Sequence, residues 1–122
     1  MKKQFRIKDS SEIERVMKKG ISRANKSFIV YRLKQENEKK SPQIAVSAPK
    51  KLGNAVTRNQ IKRKLRATIQ TNFSSFDSGH DYFIIARPDV LEIDFNRFEK
   101  QLKHVISLHR KKNTHKKSFQ SR

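Results

Sequence analysis

Lys51-Leu52-Gly53-Asn54-Ala55-Val56-Thr57-Arg58-Asn59-Gln60-Ile61-Lys62-Arg63-Lys64-Leu65-Arg66 carries six cationic side chains and no acid. An apolar period of four begins at Ile61 and continues through Leu65 and Ile69 toward Phe73. Side chains four apart stack on one face of a helix, so this stretch predicts a helix with a narrow apolar stripe. Asn54 is one candidate cap, and Thr57 with Gln60 three residues later is another. Gly53 permits a positive φ or a close backbone approach just before the helix. Arg58, Lys62 and Arg66 fall at i, i+4 and i+8 and form a single ridge, with Asn59 and Arg63 beside it. If the stripe rests on a sheet, the ridge faces outward. Free N–H groups at the helix start would add donors for an anion.

The flanking segments supply that sheet. Upstream, Gln43 to Ala48 reads as a strand closed by Pro49, and Ser27 to Lys34 as a longer one, with a polar loop between them. Residues 21–26 can add a further short strand. Before them, Asp9 and Ser11 each have a glutamate three residues on. Both pairs read as openings to a helix carrying Ile13, Val16 and Met17 and stopping at Gly20. Residues 2–8 are a basic lead-in. Downstream, Ser74 to Gly79 is a turn, and Asp81 to Arg87 is the clearest strand, ended by Pro88. Asp94 caps a last helix that buries Phe95, Phe98, Leu102, Val105 and Ile106. His109 is placed near its end, where a cation suits the helix dipole. The order predicts an α+β fold, a small single-domain sandwich of a roughly four-stranded sheet with helices mainly on one face. The domain is expected over residues 1–112, followed by a basic tail, 113–122, expected to be disordered in isolation.

The chain has 122 residues, 30 Lys and Arg against 11 Asp and Glu, and a formal charge of +19. The sequence pI is ≈ 10.7. Such an excess disfavours a compact state and calls for an anionic partner. No apolar run has the length of a spanning helix, and Met1-Lys2-Lys3 leads into Gln4, Phe5 and Arg6 rather than a signal-peptide core. No membrane partner and a cytoplasmic location are therefore expected. With no cysteine there is no thiolate chemistry and no cysteine zinc site. A merely solvated helix face usually mixes charge signs. Here no acid occurs between Glu38 and Asp77, a span holding nine Lys and Arg. The pattern favours a polyanion, and RNA in particular.

Strand alternation puts Ile29, Tyr31 and Leu33 on one face and Phe28, Val30 and Arg32 on the other. In the next strand Ile44, Val46 and Ala48 oppose Ala45 and Ser47. The larger set packs under helices, whereas the smaller set leaves a shallow trough. Tyr31 is then either a stacking platform for an unpaired base or a core-edge aromatic with a hydrated hydroxyl. No catalytic residues and no metal ligands are assigned. The four histidines are scattered without zinc-ligand spacing, and Asp77, Asp81, Asp89 and Asp94 fall at turns and caps. No nucleotide-binding glycine loop is present, so no small-molecule substrate is expected.

The motif closely resembles the RNR signature of the bacterial ribonuclease P protein family. Gly53, Asn54, Ala55, Val56, Arg58, Asn59, Lys62, Arg63 and Arg66 all match it. The likeness extends over about 110 residues, taking in Ala24-Asn25, Tyr31 and Tyr82 to Arg87. The resemblance implies a subunit of an RNA-based endoribonuclease that removes the 5′ leader of precursor tRNA. Its partners would be the catalytic RNA and the precursor tRNA. Its cofactor would be Mg²⁺ held mainly by the RNA, with hydrolysis performed there and the polypeptide itself non-catalytic. It would enhance substrate binding and raise the affinity for catalytic magnesium. It implies a fold similar to the second domain of ribosomal protein S5, with a left-handed strand–helix–strand crossover. Lys51, Asn54, Arg58, Asn59, Lys62, Arg63 and Arg66 would contact RNA. Ile13, Met17, Ile29, Tyr31 and Ser47 would line the leader cleft. Family members often carry aromatics at the positions of Ile13 and Met17, so a leader would rely here more on Tyr31 and on shape. Composition alone leaves a ribosomal or RNA-chaperone-type binder as the alternative, and the motif favours the ribonuclease subunit.

Overall fold

A computed structural model describes residues 5–36 and 41–118, with side chains through Arg110. Three helices, α1 (Ser10–Lys19), α2 (Ala55–Thr71) and α3 (Phe95–Ser118), surround four strands. The strands are β1 (Ile21–Ala24), β2 (Phe28–Lys34), β3 (Gln43–Ser47) and β4 (His80–Ala86). They lie in the order β1-β2-β4-β3, so the last strand in the chain is an inner one. β1 with β2 and β2 with β4 are antiparallel, and β3 with β4 is parallel. A parallel neighbour requires a crossover, which α2 provides. The short strand expected within residues 21–26 is present as β1. Residues 119–122, the end of the expected tail, lie outside the described residues, and α3 itself runs through Ser118.

The two faces of the sheet are covered unequally. On one, Phe28, Val30, Ile44, Tyr82, Ile84 and Ala86 meet Ile61, Leu65 and Ile69 of α2 and Phe98, Leu102, Val105 and Ile106 of α3. Phe98 stands edge-on to Phe28 with ring centroids 5.2 Å apart. The opposite face holds a smaller cluster of Val16, Ala45 and Phe83, fringed by Ile7, Ile13, Tyr31, Leu33 and Ile85. There α1 works alone, and Val16 is its buried side chain. Asp9 caps this helix by accepting from the Ser11 N–H at 2.9 Å. Gly20 ends it where a β-carbon would collide with the Val16 carbonyl and lie 2.8 Å from the Arg32 carbonyl oxygen. Only a glycine lets the helix end come this close to β2.

One polar knot fixes the other end of the sheet. The Asn25 side-chain oxygen accepts from the N–H groups of Ser27 (3.0 Å) and Phe28 (2.9 Å), and its amide donates to the Gln101 carbonyl at 2.8 Å. Ser27, fully buried, donates through Oγ to Asp89 Oδ2 at 2.6 Å and accepts from Gln101 Nε2 at 3.1 Å. The knot thus ties the β1–β2 corner, the turn after β4 and α3 together. At the opposite end, Arg32 and Arg110 converge on Asp77 at 2.8 and 2.7 Å. Burial raises the Asp77 pKa, but the Arg110 hydrogen bonds and the Arg110 and Arg32 charges outweigh it and hold the carboxyl below its ordinary range.

Two expectations for α3 need correction. Phe95 is 50% exposed rather than buried. Phe98 sits over Phe28, the first residue of β2, so one turn earlier the helix has already passed the end of the sheet. His109 is not a cation at a helix terminus, because α3 continues beyond it. It is 3% exposed, and its Nε2–H donates to the Val30 carbonyl at 3.0 Å. Burial drives its pKa down from 6.5 to about 4, the Val30 hydrogen bond opposing and the charges of Arg32, Arg23 and His80 assisting. His109 is therefore neutral in the fold at pH 7 and continues the packing stripe of α3.

A depressed histidine pKa has a definite consequence. Between about 4 and 6.5 the unfolded chain binds the His109 proton and the native one does not. Stability therefore holds above pH 6.5 and falls as the pH drops through that window. Urea unfolding from pH 7 to pH 4 is expected to show this decline, and His109→Leu to flatten it. The Asp77 contribution is lost at lower pH, below the ordinary carboxylate value, so the two are separable. An undiminished decline in the variant would assign it to another group.

Candidate nucleic-acid interface

The apolar stripe settles the orientation of α2. Leu65 and Ile69 are fully buried and Ile61 nearly so, which turns the basic ridge away from the core. Asn54 caps the helix, its side-chain oxygen accepting from the Thr57 N–H at 2.9 Å. Gly53 precedes it at φ 136, a backbone state that a side chain would strain. Of the two caps open to the sequence, Asn54 is the one used. The residue expected among the RNA contacts is thus also what orders the first turn.

Arg58 is half-buried, its Nε donating to the Ala48 carbonyl at 2.9 Å. This bond tethers the start of the ridge to the chain just beyond β3. Lys62 and Arg66 are half-buried as well, while Lys51, Asn59 and Arg63 are exposed. Lys51 belongs to the short helical turn Lys50–Leu52 that precedes α2. The sixth cation, Lys64, points to the other side, its Nζ 4.7 Å from the centre of the Phe98 ring. Asn59, Lys62, Arg63 and Arg66 line a groove of about 440 Å³ together with Ala67, Gln70 and Arg6. The motif residues from Asn59 onward are therefore one surface. Arg6 is a functional candidate that the motif does not contain. Its signal in the sequence was only the basic lead-in.

The residues expected to form a trough lie in adjacent register rows on the face covered by α1. Tyr31 and Ala45 are both register partners of Phe83, and Ile29 and Ser47 are both partners of Ile85. Two rows thus cross the sheet, each ending in a small β3 residue. The Tyr31 ring lies roughly parallel to that of Phe83, with centroids 6.3 Å apart at 28°. Phe83 and Ile85 were not among the expected cleft residues, although their alternation with Tyr82 and Ile84 could have placed them there. Ile13 lines a second groove, of about 250 Å³, with Ile44, Ala45 and Val46. Met17, 41% exposed, lies outside the packed cluster and outside this lining. Ile13, Ile29, Tyr31 and Ser47 are brought to one face, whereas Met17 stands at its margin.

Among the described residues no three His, Asp or Glu side chains are grouped to hold a metal ion. The α2 face offers guanidinium and ammonium groups, a donor set unsuited to Mg²⁺. Among the described residues no helix is long and apolar enough to cross a membrane.

Known proteins share both the sequence and this architecture. The ribonuclease P family pattern matches residues 1–110. The ribonuclease P protein component of Streptococcus pneumoniae strain Hungary19A-6 is 44% identical over 108 residues, covering 88% of this chain and 86% of that protein. A solved Staphylococcus aureus ribonuclease P protein, a mutant with defective mRNA degradation activity, superposes with a TM-score of 0.81 at 33% identity. That match covers 88% of this chain and 90% of the other. The Thermotoga maritima ribonuclease P protein shares the fold, with a TM-score of 0.74 at 23% identity over 83% of this chain and 94% of the other. A basic helix seated on a four-stranded sheet, and a match that runs almost from end to end, lead to one conclusion: this chain belongs to the ribonuclease P protein family.

Proposed function

We propose that this chain is the tRNA-processing protein subunit of a ribonuclease P, seating a catalytic RNA along α2 and the 5′ leader of precursor tRNA in the trough beneath α1. The observation that carries this reading is the acid-free ridge of α2. Lys62, Arg63 and Arg66 line one groove, and the helix orientation is fixed by the buried stripe and by the Arg58–Ala48 bond. Arginines held in this way meet phosphates with little loss of side-chain freedom, and they can grip them with two parallel hydrogen bonds. The trough supplies a different chemistry. Tyr31 is half-buried beside Phe83 with the two rings roughly parallel, and its partly exposed ring offers a stacking surface for an unpaired nucleobase. The protein's part is to bind and align. Hydrolysis, with the Mg²⁺ that supports it, is assigned to the RNA partner, in keeping with an α2 face poor in metal-ligating groups.

The deciding experiment incubates precursor tRNA and Mg²⁺ with the protein, with the catalytic RNA, and with both. The expected result is cleavage at low magnesium only when both are present. Cleavage by the protein alone, or failure to stimulate the RNA, would overturn the reading. The second outcome would favour a ribosomal or chaperone-type RNA binder.

Two substitutions test the two surfaces separately. Arg63→Ala is expected to weaken binding of the catalytic RNA and to reduce the slope of log K against log salt by roughly 0.7–0.9, the share of one phosphate contact. An unchanged slope would remove Arg63 from the phosphate-contacting set. Tyr31→Ala is expected to cost about 1–3 kcal/mol of affinity for leader-bearing tRNA and much less for mature tRNA. Equal losses on both substrates would place the contact outside the leader.

A further inference from the structure

Arg58 stands apart from the ridge that it begins. It shares one helical row with Lys62 and Arg66, yet those two line the groove of about 440 Å³ and Arg58 does not. Its guanidinium turns instead to the chain leaving β3, where Nε donates to the Ala48 carbonyl at 2.9 Å. Arg58 is half-buried and Ala48 is 3% exposed, so the bond is largely withdrawn from water. A guanidinium whose Nε is already engaged has lost the side-on pair of donors with which it grips a phosphate.

The strand end needs this bond. The ladder of β3 with β4 stops at Ser47 and Ile85, one residue short of Ala48. Pro49 follows and has no N–H, while the Leu52 and Gly53 N–H groups are committed to the Pro49 and Lys50 carbonyls. A buried carbonyl past the end of a ladder takes its donor from elsewhere, and Arg58 supplies one. β3 is also an edge strand. Arg6 covers its outer side by a parallel bridge to Ile44, and the Ile7 N–H donates to the Ile44 carbonyl at 3.0 Å. Among the described residues no such bridge covers the Ser47 end. Arg58 holds that end to α2, because its own N–H donates to the Asn54 carbonyl in the first helical turn at 3.0 Å. Ser47 belongs in turn to the row of Ile85 and Ile29, on the face assigned to the leader.

We infer that Arg58 is a positioning residue and not a phosphate contact: its Nε–H ties the Ser47 end of β3 to the start of α2, so that leader binding depends on this hydrogen bond while binding of the catalytic RNA does not draw on the Arg58 charge. The tether stands on the geometry of the free chain. Its effect on the leader rests on the ribonuclease P reading above.

A glutamine amide nitrogen lies at the same reach from the backbone as an arginine Nε. Arg58→Gln therefore keeps a donor for Ala48 and removes the charge, whereas Arg58→Leu removes both. Binding of the full chain to the catalytic RNA is measured over a series of salt concentrations. Arg58→Gln is expected to keep the parent slope of log K against log salt. A slope smaller by roughly 0.7–0.9, the share of one phosphate contact, overturns the inference. In the assembled holoenzyme, affinities for leader-bearing and mature tRNA are then compared. Arg58→Leu is expected to lose roughly tenfold of the preference for the leader, the scale of a buried carbonyl left without its donor, and Arg58→Gln to restore most of it. Parent-like preference in Arg58→Leu, or a glutamine variant as impaired as the leucine one, sinks the positioning role. Should Arg58→Leu not fold, the slope of Arg58→Gln decides alone. A parent holoenzyme with no leader preference would instead overturn the functional reading. The tether is still read then in the free chain labelled with ¹⁵N-arginine, where the Arg58 Nε–H is expected to exchange with water more slowly than that of exposed Arg63. Equal exchange rates would dismiss it.

Discussion

The seating of Ile61, Leu65 and Ile69 in the sheet is the contact on which the rest of the molecule depends. Fully burying one such side chain is worth about 1.5–3 kcal/mol, so three of them at period four lock the rotation of a 17-residue helix. Once the rotation is locked, the ridge has no freedom to choose its direction. Arg58, Lys62 and Arg66 must face outward, and Lys64 must turn toward α3. Lys62, Arg63 and Arg66 are thereby gathered along one groove, so that part of the chain's cation excess is presented together on one helix face.

The unequal covering of the sheet serves the second surface. Two helices press on one face and exclude water from it. The other receives a single helix through a single buried valine, and β3 presents Ala45 and Ser47 there instead of large side chains. A trough is what remains when a sheet face has fewer apolar atoms laid over it than its area needs. The polar knot at Asn25 and the arginine pair on Asp77 hold α3 at both ends of its contact. Neither lies within the lining of either groove. Rigidity is built on one side and room is left on the other.

Much of this was legible in the sequence, because it is local. The α2 stripe, the capping by Asp9 and Asn54 and the alternation in β2 and β3 are all periodicities within a few residues. What escaped was decided by distant partners. Phe95 fits the helical stripe but is exposed, because the sheet ends one turn too soon. His109 looks like a terminal cation and is instead a buried neutral donor, since the Val30 carbonyl waits for it. Arg6 sits in a stretch that reads as undifferentiated positive charge. Its convergence with Arg66 follows from a bridge to the edge of β3, which no spacing along the chain reveals. The ordering of strands around β4 is likewise a matter of pairing and not of pattern.

That ordering has a consequence for the life of the molecule before it meets any partner. β2 and β3 do not touch each other, and each hydrogen-bonds to β4. β4 leaves the site of synthesis after both of them. Until it emerges, only the β1–β2 hairpin can form locally, and β3 and α2 have no sheet on which to rest. Pairing Phe28 with Ala86 then closes a long loop, the kind of non-local contact that slows folding. During that interval the apolar stripe of α2 and its row of cations are both in water. A nascent chain of this family is therefore a sticky polycation for as long as its middle strand is missing.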